Sequence, residues 1–502
     1  MMDRIKLTQA VANQLKAYHL SPGKKVESLS FALDTSTRET NGELVVLIAT
    51  SSDLLFLNDD CFDDKSPARV EVPADVRAGV LTRALARKRE GQIVVVINTH
   101  DHWFATEAAF SATDDDDDIS TARQLQDFHT QYLKPDQKLI GVSILMAQGA
   151  WAARRVEMSP DGSANFIPMR IDILGERLEY HDYSLKTATS PAWANRQTNI
   201  IDPPLQTIME QLRLVIVGGG GTGSIALEAA LRMGFRKIDI IDADSIEVSN
   251  LNRFQGASTS DVGQLKAVFL AERGCKLFPD AQVTAITTDA FSAAATQAFA
   301  QADILLGCVD NSETRWYLNR VSIQYLLSYL DCGNLIQLGS PAVYHSRVNV
   351  IIPGLTPCGH CSDIQFMPRK RPDTFLDERT LQAQRSAGYV EDHPKQQAAA
   401  TYILNMQTVS ALFFELSNLL TTGNAAHSLY VRSDCIEKKI ERLDRSNYRQ
   451  GPADDCPVCQ LITGLGDDSP LPRVGGEAIA PKHPCPRAAT QQEHQEKHHG
   501  QF

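Results

Sequence analysis

The chain has 502 residues, 43% of them hydrophobic and 22% charged, and a formal net charge of -12. That length supports at least two domains with cores of their own, and an acidic balance with no opposing basic stripe excludes a general nucleic-acid binder. No apolar run follows a basic start and none approaches a membrane-spanning length, so a cytoplasmic protein without a membrane partner is expected.

Taken in order, Met1 to Leu20 predicts an amphipathic helix, with Leu7, Val11, Leu15 and Tyr18 at near-helical spacing before Ser21-Pro22-Gly23. Glu27 follows, then strands in SLSFAL and GELVVLIAT around a polar turn bracketed by Glu39 and Glu43. Asp75 to Arg89 predicts a helix leading into the apolar strand QIVVVINTH, which delivers His100 and His102 at its end. Twelve residues beyond His102 stands Asp114, at the head of an acidic run, with Ser111 three residues before it. Two imidazoles and a carboxylate are a zinc set that leaves a fourth position open, and a serine beside them can hydrogen-bond a developing oxyanion. Two unrelated surface histidines and a solvated aspartate loop are the alternative. GVSILMAQGAWAARRVE and FIPMRID predict the later strands of a small α/β domain.

The order Glu27, His100-x-His102, seven residues from Phe104 to Phe110, Ser111, two residues, Asp114 resembles the JAMM (MPN+ or JAB) metalloprotease family over about residues 5–185. Trp103 stands where that family has proline. The resemblance implies His100, His102 and Asp114 as ligands of a catalytic zinc, Glu27 as the base and Ser111 as oxyanion support. It also implies cleavage after the terminal glycine of a ubiquitin-like protein, from a precursor or a conjugate. Glu39 and Glu43 are the other carboxylates available as base.

Ser190-Pro191, RQTN and Asp202-Pro203-Pro204 predict an exposed linker over 190–204, joining a domain at 1–189 to one at 205–460 without a shared core. Val215 to Val217 then meet Gly218, Gly220, Gly221 and Gly223 and an Ala/Leu-rich helix, the form of a strand, a tight turn and a phosphate-holding helix N-terminus. A second strand, Lys237 to Ile241, ends in Asp242, roughly 20 residues after the glycines, where a carboxylate can meet a ribose hydroxyl. These features alone mean only a nucleotide, NAD and FAD included. Asp244, Asn250, Asn252, Arg253 and Lys266 then bring amide and cationic groups toward transferring phosphoryl oxygens, although Asp244 reads equally as a turn residue. The strand in ADILLGCVDN ends at Asp310 and Asn311, a second carboxylate suited to Mg2+ with ATP. Helices over Asp261 to Cys275, Ser292 to Ala300 and Ser312 to Leu327 alternate with strands VTAITT and YLDCGNLI, which predicts a mainly parallel, Rossmann-like sheet. Cys275, Cys308 and Cys332 are expected in its core.

Ten cysteines in a chain this long are not a disulfide framework. Cys358 and Cys361 form one C-x-x-C and Cys456 and Cys459 another, the ligand set of a closed tetrahedral zinc site, with a redox role the rival for either pair alone. His360 is read as a bystander. A charged stretch, QFMPRKRPDTFLDERTLQAQRS, precedes a long helix from about Pro394 to Leu420, and residues 461–502 are expected to be disordered.

From about Gln206 to Gln460 the chain resembles the ThiF, MoeB and E1 family, which adenylates the C-terminal glycine carboxylate of ubiquitin-like or sulfur-carrier proteins. The resemblance implies Gly218, Gly220, Gly221 and Gly223 as the nucleotide turn, Asp242 on the ribose, Asn250, Arg253 and Lys266 on the phosphates, and Asp310 on the metal. It implies ATP, Mg2+ and a structural Zn2+ beside the catalytic one, a ubiquitin-like partner ending in Gly-Gly, an E2-like protein downstream, and a homodimer. E1 relatives often present a thioester cysteine between the two C-x-x-C pairs. From Ser362 to Arg432 there is none; Ala387 stands in the segment that would carry it, and Cys435 and Cys485 have no activating neighbour in sequence. The expected protein is therefore an α/β two-domain enzyme that adenylates a ubiquitin-like protein and cleaves it from precursor or conjugate. Sulfur-carrier activation with precursor trimming, and a scaffold with two vestigial centres, are the alternatives.

Overall fold

A computed structural model describes residues 2–471 except 25, 33–35, 41, 58–63, 67–68, 72, 87–92, 135–136, 160, 186–190, 338–342, 362–400, 426–427, 435–438, 445–450 and 470, and beyond them 482–483. Ala387, Cys435 and Cys485 lie outside the described residues, as does the start of the helix expected from Pro394.

The first half runs β1 (Asp3–Thr8), α1 (Gln9–His19), β2 (Leu29–Ala32), β3 (Ser36–Thr40), β4 (Glu43–Ile48), β5 (Leu54–Phe56), β6 (Asp64–Ser66), β7 (Arg69–Glu71), α2 (Ala74–Ala86), β8 (Val94–Asp101), α3 (Ala112–Tyr132), β9 (Leu139–Met146), β10 (Trp151–Met158), β11 (Ala164–Leu174) and β12 (Glu179–His181). Nine strands lie in the order β3-β4-β1-β11-β10-β9-β8-β2-β5, and β12 joins on β11 as a tenth. The helix expected from Met1 begins only at Gln9, capped by Thr8. Residues 3–8 are instead a fully buried strand between β4 and β11, parallel to both. Leu7, Val11 and Leu15 satisfy a helical period, yet a strand running into a helix puts the same three residues, with Ile5, in one core.

The second half runs α4 (Pro203–Gln211), β13 (Arg213–Val217), α5 (Gly221–Met233), β14 (Lys237–Ile241), α6 (Lys266–Leu277), β15 (Gln282–Ile286), α7 (Ala293–Gln301), β16 (Ile304–Gly307), α8 (Ser312–Tyr325), β17 (Ser328–Gln337), β18 (Val343–Ile351), α9 (Tyr402–Thr421), β19 (Ser428–Asp434), β20 (Lys439–Asp444), α10 (Pro457–Leu461) and β21 (Lys482–His483). Its sheet has the order β20-β19-β18-β17-β16-β13-β14-β15-β21. Only the stretch from β15 to β17 is parallel; β18 to β20 extend it antiparallel on one side and β21 on the other. The expectation of a mainly parallel sheet thus holds for the five strands β15, β14, β13, β16 and β17 alone. Helices cover both faces: α5, α6 and α9 on one core, α7 and α8 on the other. Cys308 and Cys332 are buried free thiols as expected, whereas Cys275 is half-buried and disulfide-bonded.

Two expectations about how the halves relate are overturned. They share a core: Val45, Leu47, Leu174 and Leu178 cluster with Leu212, Leu214, Leu326 and Leu330. Strand alternation explains this, since β4 turns Val46 and Ile48 toward α1 and Val45 and Leu47 toward the second half. Beside this core, Asp303 Oδ1 accepts hydrogen bonds from Arg4 (2.5 Å) and Arg170 (2.8 Å), Asp303 Oδ2 accepts from the Arg213 N–H (2.8 Å), and Lys6 Nζ donates to the Ala302 carbonyl (2.6 Å). Burial pushes the Lys6 ammonium down to about 7. Burial would raise the Asp303 carboxyl, but the charges of Arg170 and Arg4 prevail and hold it well below the usual range. The other expectation, disorder over 461–502, fails for 461–469 and 471; apart from 482–483 the rest lies outside the described residues. Ile462 and Leu471 are buried, Leu465 O accepts from Ser36 Oγ (2.8 Å), and Asp467 pairs with Arg38 (3.0 Å), so this segment clasps the edge of the first sheet. Apolar residues among the polar ones suffice to anchor it.

Candidate functional site

At the end of β8, His100 Nε2 lies 3.2 Å from Asp114 Oδ1, and His102 Nε2 lies 3.4 Å from Asp114 Oδ2. Ligands at about 2.1 Å from a tetrahedral zinc stand about 3.4 Å apart, so the spacing suits the ion. The donor chemistry agrees, because His100 Nε2 is buried without a hydrogen bond in the described structure, although it faces Asp114. Burial would lower the His100 pKa, but the close approach and charge of Asp114 outweigh it and leave the imidazole above its ordinary value. Asp114 is held far below the usual carboxylate range: burial opposes this, and its contacts with His100 and His102 prevail.

The acidic run is not a loop. Ser111 caps α3, its Oγ accepting from the Asp114 N–H (3.3 Å) while Asp114 Oδ2 accepts from the Ser111 N–H (2.6 Å), a reciprocal box that aims the carboxylate at the histidines. The acidic first turn also complements the helix dipole. Asp115 and Asp118 both engage Arg154, at 2.5 and 2.7 Å. Glu27 reaches the corner from the opposite strand. Register pairs Leu29 with His100, which sets Glu27 across from His102, 4.0 Å away. Burial pushes the Glu27 carboxyl up to about 7 against the pull of the two histidines. A cavity of about 80 Å³ adjoins, lined by Glu27, His100, Asp114, Leu29, Phe31 and Val80. Glu39 and Glu43 sit elsewhere, on the β3–β4 hairpin, engaged with Lys138 and Arg4.

The second centre lies at the C-terminal ends of β13, β14 and β16. Gly218 has φ +93°, and a Cβ there would stand 2.7 Å from the Cys308 carbonyl oxygen; a Cβ on Gly223 would run into the Gly218 carbonyl. Gly220 caps α5 without any side-chain hydrogen bond, so the first-turn N–H groups of α5 face an anion-binding position. Asp242 fixes the turn, its Oδ2 accepting from the Gly219 N–H (2.6 Å) and its Oδ1 from the Asp244 N–H (2.8 Å), and burial raises its pKa despite Lys266 nearby. Asp244 is the counter-ion of Lys266 at 2.9 Å. Arg253 packs against Gly221, its guanidinium tied to Ser249 O (2.8 Å) and Asn252 Oδ1 (2.9 Å). Asn250 closes the preceding turn by accepting from the Glu247 N–H (3.1 Å). Asp310 is exposed just past β16.

Two residues of this centre escaped the sequence reading. Asn405, from α9, abuts Gly221 and accepts from Asn334 Nδ2 (2.6 Å). Arg315 donates to Asp331 (2.6 Å), to the Cys332 carbonyl (2.8 Å) and to the carbonyl of Val309, bracing the backbone beside Asp310. The arginine in DNSETR was a signal within reach; no local signal marks Asn405.

The four cysteines converge. Cys358 Sγ lies 3.7 Å from Cys456 Sγ and 3.8 Å from Cys361 Sγ, and Cys361 Sγ lies 4.0 Å from Cys459 Sγ. Sulfurs about 2.3 Å from a tetrahedral zinc stand about 3.8 Å apart. Backbone N–H groups of Cys358, His360 and Cys459 point at the sulfurs and favour thiolates.

The sequence pattern of the ThiF family matches residues 194–446, half of the chain. Similar proteins include the SUMO-activating enzyme subunit 2 of Dictyostelium discoideum, 30% identical over 34% of this chain and 25% of that protein. The NEDD8-activating enzyme E1 catalytic subunit of Arabidopsis thaliana is 28% identical over 35% of this chain and 41% of its own. The sulfur carrier protein ThiS adenylyltransferase of Bacillus subtilis (strain 168) is 29% identical over 32% and 46%. The chain spans about a quarter to a half of the length of these relatives. Among solved structures, E. coli MccB with succinimide aligns with a TM-score of 0.42 and 17% identity over 56% of this chain and 77% of that one.

Proposed function

The chain belongs to the ThiF family, and on that premise we propose that its second half adenylates the C-terminal glycine of a ubiquitin-like or sulfur-carrier protein while its first half, a JAMM-like zinc peptidase, cleaves the same carrier from a precursor or conjugate. The observation that carries the first part is the convergence of an α5 N-terminus free of side-chain caps with Arg253, Lys266 and Asp310 at one end of the sheet. The relatives' names, which join SUMO, NEDD8 and ThiS to activation, support the carrier class.

In this reading the α5 N–H groups and the glycine turn bind the phosphates, Asp242 accepts from a ribose hydroxyl, and Asn250 lines the phosphate side. Asp310 would hold Mg2+, which neutralises phosphate charge. The carrier's carboxylate attacks the α-phosphorus, the bond to the β-phosphate oxygen breaks, and pyrophosphate leaves. Arg253 and Lys266 stabilise the charge that builds on the phosphoryl oxygens. At the other centre, His100, His102 and Asp114 would hold zinc, which supplies Lewis acidity toward a carbonyl and toward water. Glu27 accepts a proton from that water and returns it to the leaving nitrogen. Ser111 donates to the oxyanion. The Cys358, Cys361, Cys456 and Cys459 site would hold a second, structural zinc. An E2-like acceptor and a homodimer belong to this reading by family resemblance.

ATP–pyrophosphate exchange, driven by a carrier ending in Gly-Gly, tests it. Asp310→Ala should lower exchange by roughly 10²-fold or more, and Arg253→Ala and Lys266→Ala should also slow it without loss of stability. Unchanged exchange in Asp310→Ala would sink the assignment. A carrier fused through its Gly-Gly to a short peptide, incubated without ATP, tests the first half: Glu27→Gln should keep its zinc and lose cleavage, and a wild-type protein that cuts no linkage would favour a vestigial centre.

A further inference from the structure

We infer that Asp101, the residue between the two histidines, is the positioning residue that locks Glu27 and the metal ligands into one register. The inference rests on reading the first half as a hydrolase and adds to it a part that neither histidine supplies.

Strand alternation turns Asp101 away from the face that carries His100 and His102. On that opposite face its Oδ2 gathers four donors: His19 Nδ1 (2.9 Å), Lys24 Nζ (2.6 Å), the Ser28 N–H (3.0 Å) and Ser28 Oγ (2.7 Å). His19 Nε2 in turn accepts from Ser30 Oγ (2.8 Å). Ser28 and Ser30 share one face of the incoming strand, and both are fastened to the Asp101–His19 pair. Glu27 and Leu29, on the other face, are thereby presented to the metal corner. The ladder, with Leu29 opposite His100 and Ser30 opposite Thr99, puts Ser28 opposite Asp101 and Glu27 opposite His102. A slip of one residue would replace Glu27 by a serine at the ligands and turn the carboxylate to the wrong face. Lys24 holds the intervening turn to the end of α1 through the His19 carbonyl (2.8 Å).

Ser30, His19 and Asp101 stand in the order and at the distances of a nucleophilic triad. All three have zero exposure, so no substrate reaches the serine, and burial pushes the imidazole down to about 4, which leaves it neutral. The cluster is a brace. Groups outside the ligand shell orient metal ligands and tune affinity; here the carboxylate acts on the base through Ser28 and on the two histidines through the β8 backbone that it shares with them.

The full-length chain, loaded with zinc, provides the test. Asp101→Asn keeps the volume and removes the charge. Its histidine–aspartate site should bind zinc about 10-fold more weakly in chelator competition, and at saturating zinc kcat for the carrier–peptide fusion should fall about 10- to 100-fold with KM within about twofold. Ser28→Ala loosens the base and leaves the ligands, so it should lower kcat with zinc affinity unchanged. Pyrophosphate exchange by the second half reports that each variant is folded. Unchanged zinc affinity and unchanged kcat in Asp101→Asn, or a lower melting temperature with kcat and zinc affinity at wild-type values, overturns the inference. Should Asp101→Asn fail to fold, Ser28→Ala and Lys24→Met decide: lower kcat at constant KM supports the brace, and wild-type kcat in both overturns it. A wild-type protein that never cleaves removes the hydrolase reading, while zinc affinity in Asp101→Asn still decides whether Asp101 positions the ligands.

Discussion

The two candidate metal sites differ in what they leave over. Cys358, Cys361, Cys456 and Cys459 supply four sulfurs, buried or half-buried in the second core of the ThiF half, with backbone N–H groups supporting them and no position to spare. His100, His102 and Asp114 supply three atoms at the rim of a cavity, with Glu27 standing 4.0 Å from His102. A full shell makes an ion a staple; an incomplete one leaves it room to meet a substrate. The sulfur set joins segments almost a hundred residues apart, whereas the histidine set joins one strand end to the next helix.

The sharpest way to break this comparison is to remove each ion separately. The double variant Cys358→Ser, Cys456→Ser should lose one zinc and roughly 5 kcal/mol or more of stability, given the ~10–16 kcal/mol that a structural zinc contributes to small domains. His100→Ala should lose the other zinc, shift the melting temperature by only a few degrees, and abolish cleavage. Metal analysis and calorimetry check both, and equal losses of stability would erase the distinction. The cysteine variant should also loosen the first half, because the segment after Cys459 carries Leu465 and Asp467 onto Ser36 and Arg38.

What was legible in the sequence was chemistry carried on short runs. The glycine turn with Asp242, the pairs of cysteines, and His100, His102, Ser111 and Asp114 each lie within a span that local spacing can report. Asn405 was hidden because α9 returns to the turn from far along the chain. The β1 strand was hidden because its apolar spacing also fits a helix. The shared interface was hidden for a different reason. Arg4, Lys6, Arg170 and Asp303 are charged, and charged residues are almost never buried unless paired; only the fold brings these partners, 133 to 299 positions from Asp303, into one cluster.

That cluster sets the next expected effect. Asp303→Ala takes one carboxylate from Arg4 and Arg170 in a buried interface and leaves each with one, Glu43 and Asp172, so the loss should stay at or below the about 3–5 kcal/mol of a fully broken buried pair. Urea unfolding should show the midpoint falling and the single transition splitting into two, since the halves would no longer unfold as one unit. A single transition with an unchanged midpoint would mean that the apolar contacts of Val45, Leu47, Leu174 and Leu178 couple the halves by themselves.

The smallest effect separates two roles that Ser111 holds at one position. As the cap of α3 it accepts from the Asp114 N–H, and its removal in Ser111→Ala should cost about 1 kcal/mol. As an oxyanion donor it would use the hydroxyl hydrogen, which the cap leaves free because the oxygen is there the acceptor. Glycine at a cap costs only a few tenths of a kcal/mol relative to serine and has no side-chain donor. Ser111→Gly should therefore keep most of the stability that Ser111→Ala loses while leaving cleavage roughly 10²-fold slow in both. If Ser111→Gly keeps activity together with stability, the serine serves only to cap α3 beside Asp114, and the oxyanion must find its donor elsewhere in the corner.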